Sequence, residues 1–362
     1  MIARNLVDTL VRQGHDVCTL PELSTETALH NLWAAFGVPA RLRQIRMVAR
    51  AFHPDLWLTY YSDSIAPDIP GPLLAHSLGA RYILYGAIKR GVSKGPRRPH
   101  LAGRFLNRLA LHAADRVVVA KQRDLEGFQA YGWLRDKLSL LPPAVSTVEF
   151  RRDGERRARM RHTLGIGDTT VMLLAAARLT YRGGGRKVDS LRFLIDCVGD
   201  LKQLAHDVRL VIAGDGKARQ ELEAYARPLG DRVTFAGAVP HSDMSALYNA
   251  ADIFCFPGLR EPMGMVYLEA QASGVPVVAF RNGGIPELVR DGETGFLVRR
   301  LDRGGFVARL EQLIADPALR GRLGDAGIAH VRADHDLEAW GAALTAVLES
   351  SPQRGGGRQV FD

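Results

Sequence analysis

Two glutamates, Glu261 and Glu269, stand eight residues apart in the run Glu261-Pro-Met-Gly264-Met-Val-Tyr-Leu-Glu269-Ala-Gln-Ala-Ser-Gly274. The preceding Ala251-Asp-Ile-Phe-Cys-Phe-Pro257 reads as a short apolar strand running into a loop, which puts Glu261 in that loop. Pro262 suits a first helical turn, where no amide hydrogen bond is lost, and Glu269 then falls inside the helix. The amides of Gly264, Met265 and Val266 would point out of the helix start, where the backbone dipole favours a phosphate or a sugar oxygen. Taken alone, the same spacing also fits two glutamates flanking a surface helix.

The sequence that follows carries a second turn. After the apolar strand Val275 to Phe280 comes Arg281-Asn-Gly283-Gly284-Ile-Pro286-Glu287-Leu-Val-Arg-Asp-Gly292-Glu-Thr-Gly295-Phe-Leu-Val, a glycine-rich turn opening a helix and then a reverse turn. Residues 251–298 together closely resemble the retaining glycosyltransferases of family four. In that family two glutamates separated by seven residues, followed by a Gly-Gly-x-x-Glu turn, mark the donor site.

The resemblance implies a GT-B fold, in which two facing Rossmann-like doubly wound α/β domains enclose a cleft. It also implies a role for each matched residue. Arg178, just after the strand Val171 to Ala176, matches an arginine that steadies the leaving diphosphate, and Lys187 is assigned as its partner, with Arg182 or Arg186 as substitutes. The lysine departs from the family's Lys-Gly pair, since the loop here is longer and no glycine follows it. Glu261 would face the hydroxyls of the transferred sugar, and Glu269 those of the ribose. Val239, in Gly237-Ala-Val239-Pro-His241, matches the position whose backbone reads the nucleobase edge. Gly214, in Gly214-Asp-Gly216, would let backbone approach a ligand, although a tight strand-to-helix turn explains it equally well. In the family the anomeric configuration is retained by front-face attack, with no protein base and no metal. Many relatives place a histidine near the sugar, after the strand matched here by Tyr82 to Tyr85, but this chain continues Gly86-Ala-Ile88.

The elements that must position these residues alternate between helix and strand almost throughout, as expected for parallel sheets. Strands are expected at Asp16 to Leu20, Leu56 to Tyr60, Tyr82 to Tyr85, Arg116 to Ala120 and Leu138 to Leu141. A second set is expected at Val171 to Ala176, Arg209 to Gly214, Val233 to Phe235, Ile253 to Phe256, Val275 to Phe280 and Gly295 to Val298. We therefore expect an acceptor-side domain over 1–147, a nucleotide-sugar domain over 148–336, a helix over 337–349 packing back on the first, and a flexible tail over 350–362. Family members open with a strand and glycine-rich loop before a helix ending in Gly-His. Here Met1 falls inside that helix, which ends at Gly14-His15, so the first strand and its loop are expected to be missing.

A length of 362 residues accommodates two domains, and three scattered cysteines suggest reduced thiols. The net charge of +9 calls for an acidic partner. Arginines interleave with apolar residues at helical spacing over Ala40 to Phe52, and Lys89 to Arg123 is rich in Lys and Arg. A solvated basic face accounts for these segments equally well; the functional reading we prefer is contact with anionic lipid headgroups, because many relatives act on lipid-linked acceptors. Nucleic acid fits less well, since the basic segments lack interleaved aromatics. No apolar run is long enough to span a bilayer and the amino terminus lacks a signal-peptide core, so the expected location is cytoplasmic, peripheral at the inner membrane face. Asp334-His335-Asp336 with His330 has the spacing of a metal-bridging acidic pair but reads as a helix cap, and no metal is assigned. Two alternatives stay open: a nucleotide-sugar epimerase or hydrolase of the same architecture, and a catalytically inactive nucleotide-binding or partner subunit.

Overall fold

The computed structural model describes residues 2–21, 23, 25–30, 36–89, 101–181, 186–259, 261 and 264–350. Arg182, the Gly183 to Gly185 loop, Pro262, residues 90–100 of the basic stretch and the tail beyond Ser350 lie outside the described residues, as does the Arg186 side chain. The chain divides into two compact units, Met1–Pro142 with Ala339–Asp362, and Pro143–Glu338.

The first unit holds a four-stranded sheet of β1 (Leu56–Ser62), β2 (Arg81–Ala87), β3 (Arg116–Val119) and β4 (Leu138–Leu140), all parallel and in that order. Strand β2 is covered on both faces, and Tyr82, Ile83, Leu84 and Tyr85 are fully buried, which is why it reads as a continuous apolar run. At its carboxyl end the β1–β2 register passes from Tyr60↔Tyr85 to Ser62↔Ala87, and the intervening Tyr61 and Gly86 both have positive φ, 69° and 72°. The expected strand Asp16 to Leu20 is not one. Among the described residues that segment has no ladder partner, and Leu20 packs instead against this unit's core. Apolar composition alone does not make a strand, because the backbone must also find a neighbour to bond. The helix Leu337–Glu349 brings Trp340, Leu344 and Leu348 into the first unit: Arg81 donates to the Leu348 carbonyl at 2.7 Å, and Trp340 meets Tyr85 edge-on with ring centroids 6.2 Å apart.

The second unit holds six parallel strands, β5 (Val171–Ala176), β6 (Val208–Ala213), β7 (Val233–Gly237), β8 (Ile253–Cys255), β9 (Val277–Phe280) and β10 (Gly295–Val298). Their order in the sheet is β10-β9-β8-β5-β6-β7. Counted within the unit this is the doubly wound order 3-2-1-4-5-6, and the connection reverses direction between β5 and β8, which pair through Leu173↔Ile253 and Leu174↔Phe254. In such sheets ligands bind outside the carboxyl ends of the strands at this reversal. Strand β5 ends just before Ala177-Arg178, and β8 just before the loop that carries Glu261. Among the described residues no helix is long and apolar enough to cross a membrane.

Candidate functional site

Where the chain leaves β5, three loops interlock. The Leu179 amide donates to the Asp215 carbonyl at 3.0 Å, the Leu179 carbonyl accepts from Ala218 at 3.0 Å, and the Gly214 amide donates to the Gly237 carbonyl at 2.7 Å. A Cβ on Gly214 would overlap the Ala177 carbonyl oxygen, and one on Gly216 would overlap that of Leu179. The close approach that Gly214 permits is therefore made by the chain's own backbone. Its effect is to fix the turn on which Arg178 stands. Leu179 is fully buried beneath that turn while Arg178 is exposed, with no partner for its guanidinium among the described residues. Val239, half-buried after β7, likewise makes no backbone hydrogen bond to described residues.

The β8 exit is held from several sides. The Tyr267 hydroxyl donates to the Phe256 carbonyl at 2.9 Å, Ser190 Oγ accepts from the Leu259 amide at 3.0 Å, and Asn282 donates to the Gly258 carbonyl at 3.3 Å. Ser190 lies in the helix Arg186–Gln203, the same helix that carries half-buried Lys187 near its start. Gly283, at φ 63°, packs so tightly on this loop that a Cβ would sit 2.5 Å from the Glu261 carbonyl oxygen. The two halves of the sequence motif, the glutamate pair and the Gly-Gly turn, thus meet directly.

Glu261 and the helix Met265–Ala272 are arranged differently from the sequence expectation. Glu261 Oε1 accepts the Gly264 amide at 3.3 Å, so the amide of the residue just before the helix is occupied, although no side chain caps the first turn. Gly264 itself takes the left-handed conformation, φ 65°. The amides of Met265 and Val266 meet no acceptor among the described residues and remain the open donors of the helix start.

Glu269 is only 1% exposed. Its Oε2 accepts the Tyr248 hydroxyl at 2.7 Å, while Oε1 is buried with no partner among the described residues. Burial pushes its pKa up to about 7, against the opposing effect of the Tyr248 hydrogen bond. A buried carboxylate oxygen with no donor is costly. Sequence reasoning missed Tyr248, Ser190, Tyr267 and Asn282. Tyr248 and Ser190 act from helices that no local spacing links to the motif, whereas Tyr267 and Asn282 lie inside the two motif runs and act through contacts that only the packed structure shows.

The acidic cluster near the end of this unit serves the fold. Asp336 accepts from Thr147 Oγ1 at 2.6 Å and from the Glu338 amide at 2.9 Å, capping the last helix. His335 Nδ1 lies 2.8 Å from the Pro143 carbonyl, and His330 lies between Asp334 and the Leu288 carbonyl at 3.0 and 3.2 Å. Among the described residues no group of His, Cys, Asp and Glu is placed to hold a metal ion.

Residues 172–316 match the family model described as glycosyl transferases group 1. The chain is 35% identical over 303 residues to a GDP-mannose-dependent alpha-(1-6)-phosphatidylinositol monomannoside mannosyltransferase of Mycolicibacterium smegmatis, covering 81% of this chain and 76% of that one. It is 34% identical over 244 residues to a D-inositol 3-phosphate glycosyltransferase of Acidothermus cellulolyticus, covering 65% of this chain but only 52% of the relative. Among solved structures, a glycosyltransferase from Rickettsia africae superposes with a TM-score of 0.71 at 17% identity over 96% of this chain and 88% of its own. Anabaena HepE in complex with UDP-glucose superposes with a TM-score of 0.68 at 20% identity, over 95% and 89%. With two parallel-sheet α/β domains and a donor-type motif assembled at the sheet reversal, the chain belongs to the group 1 glycosyltransferases, the family-four type with the GT-B fold.

Proposed function

We propose that this chain is a retaining glycosyltransferase that moves a hexosyl unit from a nucleoside-diphosphate sugar to a hydroxyl of a lipid-linked or polysaccharide acceptor. The observation that carries this reading is the direct seating of Gly283 on the Glu261 carbonyl at the β5–β8 reversal, with Arg178 leaving the neighbouring strand. The mannosyltransferase relative, GDP-mannose-dependent by name and named for a phosphatidylinositol monomannoside, supports a hexosyl donor and a lipid-linked acceptor and makes GDP-mannose the first donor to test.

In this reading Arg178 and Lys187 hold the diphosphate, and the Met265 and Val266 amides add donors at the positive end of a helix. Charge grows on the diphosphate as the bond from the anomeric carbon to its oxygen breaks. The acceptor hydroxyl forms its new bond on the same face and gives its proton to a leaving-phosphate oxygen, so no protein base takes part. Glu261 positions sugar hydroxyls, Glu269 Oε1 accepts from the ribose, and the Val239 backbone meets the base. Fixed cationic groups and amides supply the charge stabilisation, so the reaction proceeds without a metal. The basic first unit favours work at an anionic bilayer, at its cytoplasmic face.

A donor screen tests this. Calorimetry with GDP-mannose and UDP-glucose, followed by mass spectrometry of products from lipid acceptors, should show binding and transfer by the wild type. Binding should fall in Glu269→Ala and in the exposed-site variant Arg178→Ala. Equal binding by wild type and both variants removes the donor-site assignment. The run Gly86-Ala-Ile88, with no histidine directly after Tyr85, favours one second reading, a nucleotide-binding subunit without turnover, which would bind donor and release no product.

A further inference from the structure

The helix Leu101–Ala113 in the first unit has two apolar faces, although it lies at the surface. Its inner face is packed by Gly103, Ala110 and Leu111, and Gly103 is so close to the fold that a Cβ would overlap the Ser64 carbonyl oxygen. Its outer face presents Leu101, Phe105 and Leu109, at i, i+4 and i+8, with 85%, 69% and 41% of their surfaces exposed. Exposed Arg104 and Arg108 flank this stripe. Beyond Leu109 the exposed surface continues through His112, stacked 3.6 Å from the half-exposed Trp133, which stacks in turn on Tyr131 at 6.1 Å.

Single exposed apolar residues are ordinary, but a large aliphatic and aromatic stripe in register along one helix is not. The charge of this part of the unit is net positive. Among its described residues, Lys89 and 101–137, there are eight Lys and Arg against four Asp and Glu, a net charge of +4, and Arg104 and Arg108 lie beside the stripe itself. A face of this kind suits an anionic bilayer, whose interface takes up Leu and Phe while long cationic side chains reach the headgroups. We infer that the outer face of helix Leu101–Ala113 inserts Leu101, Phe105 and Leu109 into the interfacial layer of an anionic membrane, with Arg104 and Arg108 paired to lipid phosphates. This deepens the reading of a lipid-linked acceptor and rests on it, by naming the element that docks on the membrane bearing that acceptor.

The test is co-sedimentation of the full chain with vesicles of phosphatidylcholine alone and of phosphatidylcholine with about a third phosphatidylglycerol. Wild type should bind the anionic vesicles and bind the neutral ones at least about tenfold less, with affinity falling as salt rises. Leu101→Ser with Phe105→Ser should weaken anionic binding by about tenfold or more at unchanged melting temperature, since both side chains are exposed. Arg104→Gln with Arg108→Gln leaves the apolar stripe intact, and should weaken binding and flatten its salt dependence. Failure of the wild type to bind anionic vesicles, or wild-type binding by both variants, overturns the inference. So does light scattering that shows a dimer dissociated by Phe105→Ser, which would assign the face to a second copy. Donor titration without vesicles is read separately: loss of GDP-mannose and UDP-glucose binding by the wild type would strike the functional reading and leave the vesicle result standing.

Discussion

Tyr248 donates its hydroxyl to Glu269 Oε2 at 2.7 Å in a place where neither side chain meets solvent. The pair links the helix His241–Ala250 to the helix Met265–Ala272, and it leaves one carboxylate oxygen without a donor. Burial raises both groups, the carboxyl to about 7 and the phenol well above its usual range.

Because its folded pKa lies above the unfolded value, Glu269 contributes stability that is full below about pH 4.5 and is lost as pH rises toward 7. Between those values the unfolded chain gives up a proton that the folded chain keeps. The loss amounts to about 3 kcal/mol at most, at roughly 1.4 kcal/mol per unit. Glu269→Gln has no proton to lose, so its stability relative to wild type should improve from pH 5 to pH 8 in urea unfolding. A constant difference across that range would show that Glu269 titrates normally.

Tyr248→Phe removes the single donor to this carboxyl among the described residues. The change should cost about 1–3 kcal/mol at neutral pH, the range for stranding a buried polar group, and less at pH 5, where the carboxyl is neutral. Thermal melts at the two pH values read the difference directly.

Two glycines in left-handed backbone separate conformation from contact. Gly283 at φ 63° and Gly292 at φ 80° both disfavour a side chain, but only at Gly283 would a Cβ meet anything, the Glu261 carbonyl oxygen at 2.5 Å. Gly292→Ala should therefore cost about 1–2 kcal/mol from backbone strain alone. Gly283→Ala should cost more and also weaken donor binding by displacing Glu261, as calorimetry would register. Equal costs and unchanged donor affinity would detach the Gly-Gly turn from the site.

Arg178 is exposed and unpartnered among the described residues, so Arg178→Ala should melt within a degree or two of wild type. Its transfer rate should nevertheless fall by about 10²-fold or more, as expected when a charge-stabilising donor is removed. A variant with normal stability and normal turnover would move the diphosphate elsewhere.

Much of the second unit was legible because parallel strands buried on both faces leave apolar runs. Val171–Ala176 and Gly295–Val298 match their expected bounds, and Ile253–Cys255 and Val277–Phe280 differ from theirs by only one or two residues. Asp16 to Leu20 had a similar composition and no neighbour to pair with, a fact of three dimensions that no local window contains. The motif also led to Glu261 and Gly283, which touch. It did not reveal that Glu261 would take the Gly264 amide for itself, since that depends on the turn Gly258 to Glu261, where Glu261 donates to the Gly258 carbonyl at 3.1 Å. Tyr248 and Glu269 come from different helices with strand β8 between them, and only packing pairs them.

The Ser190–Leu259 hydrogen bond ties the helix Arg186–Gln203, which carries Lys187 in its first turn, to the loop that carries Glu261. On the proposed roles, a sugar that draws the Glu261 loop inward would carry the lysine with it, so the charge offered to the diphosphate would be set by how well the hexose fits, and poor substrates would be penalised in turnover as well as in affinity.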